Sequence, residues 1–131
     1  MAPRVTILIV DDSSILRHSI RACIEENSPW HVCGEAENGK IAVEKVMELR
    51  PDLVLLDLSM PVMNGLDASR RIASVSPRTI MVMFTMHKSL QLVKSAKSIG
   101  IKAVLCKSDG DLDHLIDSIK GYLDPDPSPA V

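Results

Sequence analysis

Val5-Thr6-Ile7-Leu8-Ile9-Val10-Asp11-Asp12 is the stretch on which the reading of this chain turns. Its first six residues are apolar apart from Thr6 and mostly β-branched, which suits a strand buried on both faces, as in a parallel sheet. Two aspartates then stop the run. Leu53-Val54-Leu55-Leu56-Asp57 repeats the pattern, an unbroken apolar run closed by a carboxylate. Thr79 to Phe84 and Lys102 to Cys106 read as two further strands, followed by Thr85 and Lys107. A weaker strand is expected from His31 to Gly34.

Segments of helical period separate these runs. Ser13 and Ser14 can cap a helix with Leu16, Ile20, Cys23 and Ile24 on one face, stopped by Asn27-Ser28-Pro29. Further helices are expected from about Gly39 to Leu49, ended by Pro51, from Leu66 to Ala73, and from Leu90 to Ile99 with Gly100 as the stop. In the last helix Leu112, Leu115, Ile116, Ile119, Tyr122 and Leu123 keep i, i+3, i+4, i+7 spacing, with Asp111, Asp113 and Asp117 opposite. A single domain at 1–123 is therefore expected. The Pro-rich segment 124–131 reads as a disordered tail, either a natural end or the start of a truncated linker. Alternating strands and helices define an α/β fold, a parallel sheet with helices on both faces joined by right-handed crossovers. Such folds gather their chemistry beyond the carboxyl ends of the strands.

Composition narrows the function classes. A chain of 131 residues makes one domain, able to bury roughly two-thirds of its unfolded surface. With 46% apolar and 24% charged residues, neither a disordered nor a membrane protein fits. A net charge of −2 and 2% aromatics argue against direct nucleic-acid binding. Cys23, Cys33 and Cys106 are odd in number and widely spaced, which reads as reduced thiols rather than a disulfide or zinc framework. The apolar run after Arg4 is too short for an export signal or a membrane span, so a cytoplasmic protein is expected.

The residues just past the strands point to the chemistry. Asp11, Asp12, Asp57, Thr85 and Lys107 all fall on one predicted edge. Clustered carboxylates raise one another's pKa unless a cation intervenes. Hard oxygen ligands favour Mg²⁺ or Mn²⁺, and Mg²⁺ commonly pairs one or two carboxylates with phosphate oxygens. An ammonium and a hydroxyl beside such an ion suit a phosphoryl group, whose oxygens they would neutralise and hydrogen-bond.

With Asp11-Asp12, the string Asp-Leu-Ser-Met-Pro-Val-Met-Asn-Gly at 57–65, Thr85 and Lys107 in place, the chain resembles the CheY-like receiver domain of bacterial two-component response regulators. The likeness runs from about residue 4 to 123. It implies a flavodoxin-like (βα)5 fold with strand order 2-1-3-4-5. It also implies that Asp57 accepts phosphate from a histidine kinase or phosphotransfer protein. Asp12, Asp57 and the main-chain carbonyl of Ser59 would bind Mg²⁺ (or Mn²⁺), and Asp11 would bind it directly or orient a water on it. Thr85 would hydrogen-bond the phosphoryl group and Lys107 would pair with it. The implied activity is self-catalysed phosphoryl transfer and hydrolysis, not turnover of a separate substrate. Output would pass to a downstream protein partner, from a monomer or a phosphorylation-dependent dimer.

Some positions depart from the family pattern. Val104 stands where an aromatic is common, which removes a rotamer switch there, and Ser108 stands where Pro is common, so a trans bond is expected before it. The resemblance places His87 and Ser59 at variable positions and implies that they would tune acyl-phosphate lifetime. The segment 34–41 nearly matches a phosphate-binding loop, but Ile41 replaces the required hydroxyl and Glu35 and Glu37 would repel phosphate. Met60, Met63, Met81, Met83 and Met86 read as core filling, and His18, His31, His87 and His114 lack metal-ligand spacing. Two alternatives remain. One is the receiver half of a truncated DNA-binding transcriptional regulator. The other, a haloacid-dehalogenase-like phosphatase, would want an acid where Ser59 stands.

Overall fold

Alternation within each apolar run decides which helix layer each strand side chain meets. The computed structural model describes residues 4–108 and 112–123. Its elements run β1 (Thr6–Val10), α1 (Ser14–Asn27), β2 (His31–Ala36), α2 (Gly39–Leu49), β3 (Leu53–Leu56), α3 (Gly65–Val75), β4 (Ile80–Thr85), α4 (Leu90–Ile99), β5 (Ala103–Cys106) and α5 (Leu112–Leu123). All strand pairs are parallel and the order is β2-β1-β3-β4-β5, the flavodoxin-like arrangement. Ile7, Ile9, Leu53, Leu55, Val82 and Phe84 pack with Ile20 and Ile24 of α1 and Leu115, Ile116 and Ile119 of α5. Their neighbours Leu8, Val10, Val54, Leu56, Met81 and Met83 pack on the opposite face against α2, α3 and α4. Burial on both faces is why the central runs are apolar without alternation.

Helix starts follow local chemistry. Ser13, Asn38, Asn64 and Ser89 cap α1 to α4, each side-chain oxygen accepting from a backbone N–H three residues on. Gly100, at φ 109°, ends α4 in the left-handed conformation. β2 extends two residues beyond the expected Gly34. It pairs with β1 as far as Val10↔Ala36, with a register shift between Ile7 and Leu8 that leaves Cys33 as the extra residue. Cys33 packs toward the α2 layer, and so does the next position, because a Cβ added to Gly34 would meet Leu49 and Leu8. On α5, Tyr122 departs from expectation and is exposed, while Leu115, Ile116 and Ile119 hold the apolar face. Asp117 is exposed. Asp111, the side chain of Asp113 and the segment 124–131 lie outside the described residues. No described helix is long and apolar enough to cross a membrane.

Two glycines give opposite expectations. A Cβ on Gly65 would lie 2.1 Å from the Asp57 carbonyl oxygen, whereas one on Gly121 would meet nothing within 4 Å. Gly65→Ala is expected to destabilise the protein by about 1–3 kcal/mol through backbone displacement. Gly121→Ala is expected to stabilise it by about 0.5–1 kcal/mol. Urea denaturation midpoints of the two variants check both signs.

Candidate functional site

The carboxyl ends of β1 and β3 bring three acids together. Asp11 and Asp57 are buried, Asp12 is exposed, and an oxygen from each lies within 4.8 Å of the others. Asp11 is held at every polar atom. Its N–H donates to the Ala36 carbonyl at 3.0 Å, Oδ1 accepts from the Ser13 N–H at 2.9 Å, and its carbonyl accepts from an Arg17 guanidinium nitrogen at 2.6 Å. Its Oδ2 accepts from Lys107 Nζ at 2.7 Å. Arg17 in turn donates through Nε to Glu35 at 2.8 Å, and Arg21 holds the other Glu35 oxygen at 3.0 Å.

Asp57 sits at the head of a braced loop. Its N–H donates to the Val10 carbonyl at 3.0 Å, its Oδ1 accepts from the Leu58 N–H at 2.7 Å, and its Oδ2 lies 3.2 Å from Lys107 Nζ. The Gly65 N–H closes the loop on the Leu58 carbonyl at 2.8 Å, and Gly39 at the start of α2 donates to the Met63 carbonyl at 3.0 Å. Between them Val62 adopts φ 69°, with the Met63 N–H bonded back to the Pro61 carbonyl at 2.7 Å, a γ-turn with a left-handed centre. A β-branched residue there stores roughly 1–3 kcal/mol of strain. The segment 34–41 that nearly matched a phosphate loop serves this scaffold instead: Asn38 caps α2, Gly39 meets the 57–65 loop and Glu35 meets α1.

Lys107 is the shared cation. Burial alone would lower its pKa, but the hydrogen bond and charge of Asp11, then the charge and hydrogen bond of Asp57, outweigh it and raise the value above the ordinary 10.5. Its Nζ also lies 5.9 Å from the centre of the Phe84 ring. Thr85 is on the same edge, tied to Lys107 by the Lys107 N–H to Thr85 carbonyl bond at 2.9 Å. Its side chain is fully buried and its Oγ1 accepts from the His87 N–H at 3.3 Å. Ser59 is exposed two residues past Asp57. Ser108 follows Lys107 by a trans bond, and no described peptide bond is cis. Met86, expected in the core, is 56% exposed because β4 has already ended at Thr85. Val104 is buried among aliphatic residues.

Three carboxylates against one ammonium leave two negative charges uncompensated at neutral pH, and all the donors are hard oxygens. That set fits a divalent cation of the Mg²⁺ kind. The strand-end pattern in the sequence named the acids, the threonine and the lysine, and missed Arg17, Glu35 and Phe84. Arg17 and Glu35 carry no motif of their own, and Glu35 falls one residue past the strand expected at 31–34, so its need for a partner within β2 showed only in the structure.

Against known families, residues 7–120 match the response regulator receiver domain. The chain belongs to that family and is a CheY-like receiver domain of two-component signalling. Over 125 residues it is 38% identical to the transcriptional regulatory protein YdfI of Bacillus subtilis, covering 92% of this chain and 58% of that protein. It is also 38% identical to the chemotaxis protein CheY of Thermotoga maritima, over 77% of this chain and 83% of that one. A two-component response regulator of the LuxR family from Aurantimonas superposes with a TM-score of 0.87 at 30% identity, covering 93% of this chain and 86% of the other.

The raised Lys107 pKa has a pH consequence. Its stabilising contribution is complete below the ordinary lysine value and is lost as pH rises through the raised one. Wild type is therefore expected to be more stable than Lys107→Met near neutrality, and the gap is expected to close from about pH 10 upward. Thermal melts of both proteins across that range test it; a gap that persists undiminished contradicts the assignment.

Proposed function

We propose that Asp57 is the phospho-acceptor of this receiver, and that Asp11, Asp12, Asp57 and the main-chain carbonyl of Ser59 hold Mg²⁺ (or Mn²⁺). The observation that carries the reading is the seating of Lys107 between Asp11 and Asp57, beside the exposed Asp12. A bound Mg²⁺ would supply charge neutralisation for the incoming phosphoryl oxygens. Asp57 uses the carboxylate oxygen not engaged by the Leu58 N–H. That oxygen forms a bond to phosphorus as the donor's phosphorus–nitrogen bond breaks, and the electron pair returns to the donor imidazole. Lys107 keeps its proton and pairs with the transferred group. Thr85 must turn its hydroxyl from the His87 N–H to reach that group, which couples the β4–α4 loop to phosphorylation. Water later attacks phosphorus and restores the carboxylate with release of inorganic phosphate.

The donor is a histidine kinase or phosphotransfer protein, and the output a second protein. Exposed Ile15, Val62, Met86 and Leu90 on the loops and first turns at the site's edge support a macromolecular partner there. The chain spans 58% of YdfI, a transcriptional regulatory protein, and that supports a second reading in which this receiver serves a longer DNA-binding regulator. An endogenous gene product larger than residues 1–131 would favour it. A haloacid-dehalogenase-type phosphatase lacks its acid at Ser59. Cytoplasmic location accords with the proposed kinase partner.

Incubation with Mg²⁺ and acetyl phosphate, followed by intact mass measurement, tests the proposal. Wild type is expected to gain one phosphoryl group and Asp57→Asn none. Equal labelling of the two proteins would remove Asp57 from its role. Lys107→Ala is expected to accept phosphate slowly yet lose the phosphorylation-dependent shifts in amide NMR spectra.

A further inference from the structure

Of the three acids, Asp11 and Asp57 are fixed by side-chain bonds to Ser13, Lys107 and Leu58. Asp12 is the exposed one, and its position depends on how the backbone leaves β1. The Asp11 carbonyl oxygen and the Asp12 nitrogen share one rigid peptide plane. The group that holds that oxygen is Arg17, one turn into α1, at 2.6 Å.

We propose that Arg17 is a positioning residue for the divalent cation, holding the 11–12 peptide so that the Asp12 carboxylate faces those of Asp11 and Asp57; the inference rests on the cation site proposed above. Three observations carry it. Arg17 bonds the last peptide before the acid corner. It is itself locked, because Nε donates to Glu35 at 2.8 Å and both side chains are largely buried, at 15% and 17% exposure. Glu35 is locked in turn by Arg21, which also donates to the Val32 carbonyl at 3.2 Å. The chain of contacts thus runs from β2 through α1 to the peptide that sets Asp12.

A guanidinium near a cation site could also act by charge alone. That effect has the opposite sign: it would repel the ion, and its removal would tighten binding. Glu35 is shared with Arg21, so the three groups carry one net positive charge and removal of Arg17 leaves a neutral pair. The geometric effect is expected to outweigh that lost repulsion, so removal weakens binding. Loss of groups that orient metal ligands typically costs 10–100-fold in affinity.

Isothermal titration of the full chain with Mg²⁺ tests this. Arg17→Met keeps the aliphatic stem, and Glu35 retains Arg21, so no buried charge is left alone. Arg17→Met is expected to bind Mg²⁺ roughly ten-fold more weakly than wild type. Its melting temperature without Mg²⁺ should stay close to that of wild type, with a smaller Mg²⁺-induced rise. Arg17→Lys is expected to recover part of the affinity, because an ammonium can reach the carbonyl but cannot span it and Glu35 together. Equal or tighter Mg²⁺ binding by Arg17→Met overturns the inference and leaves the cation site itself standing. Wild type that binds no Mg²⁺ overturns both. Arg17→Gln is judged by the same criterion should the methionine variant fail to fold.

Discussion

One ammonium group makes the functional edge of this fold possible. Lys107 is 96 residues from Asp11 and 50 from Asp57, and its Nζ contacts both. The strand order puts β4 between β5 and β3, so the lysine must reach across a neighbouring strand end, with parallel strands roughly 5 Å apart. A long apolar stem suits that span, and Phe84 lies beneath its tip. Packing on both faces of the sheet fixes the ends of β1 and β3 side by side, and their acids follow whether or not they repel. The lysine offsets one of the three carboxylate charges by contacting both buried acids at once.

Much of this was legible because it depends on features that sequence expresses directly. Fully apolar runs of β-branched and leucine residues announced β1 and β3, and the residues just past the strands named the edge. α2, β3 and α4 fell at the expected positions because Asn38, Pro51, Ser89 and Gly100 are punctuation with fixed chemistry. The 57–65 string was specific enough to indicate the family, since its Pro, Asn and Gly each meet a backbone demand: the tight turn, the cap of α3 and the contact on the Asp57 carbonyl.

The features that sequence did not announce depend on tertiary partners. Arg17 and Glu35 are ordinary charged residues until α1 lies over β2. Val62 has nothing in its identity to foretell a positive φ; loop closure by Gly65 and the Gly39–Met63 bond impose it. Tyr122 and Met86 fit an apolar pattern yet face solvent, one at the last turn of a helix and the other just past a strand, where the layers they would join have ended.

The extra residue in β2 sets which way the rest of that strand faces. Were the same residues to alternate strictly from Val32, Glu35 would point at the aliphatic layer under α2, where a carboxylate has no partner. By placing two successive positions, Cys33 and Gly34, on that side, the strand changes phase and delivers Glu35 to the arginines of α1, then Ala36 back to the α2 layer. Deleting Cys33 would keep that phase, because Gly34, Glu35 and Ala36 would stay opposite Leu8, Ile9 and Val10. Forcing the full-length strand into regular alternation is what would strip the anchoring arginine of its counter-ion and bury an acid in oil. The irregularity that made β2 hard to read is what lets an outer strand support chemistry at the centre of the sheet.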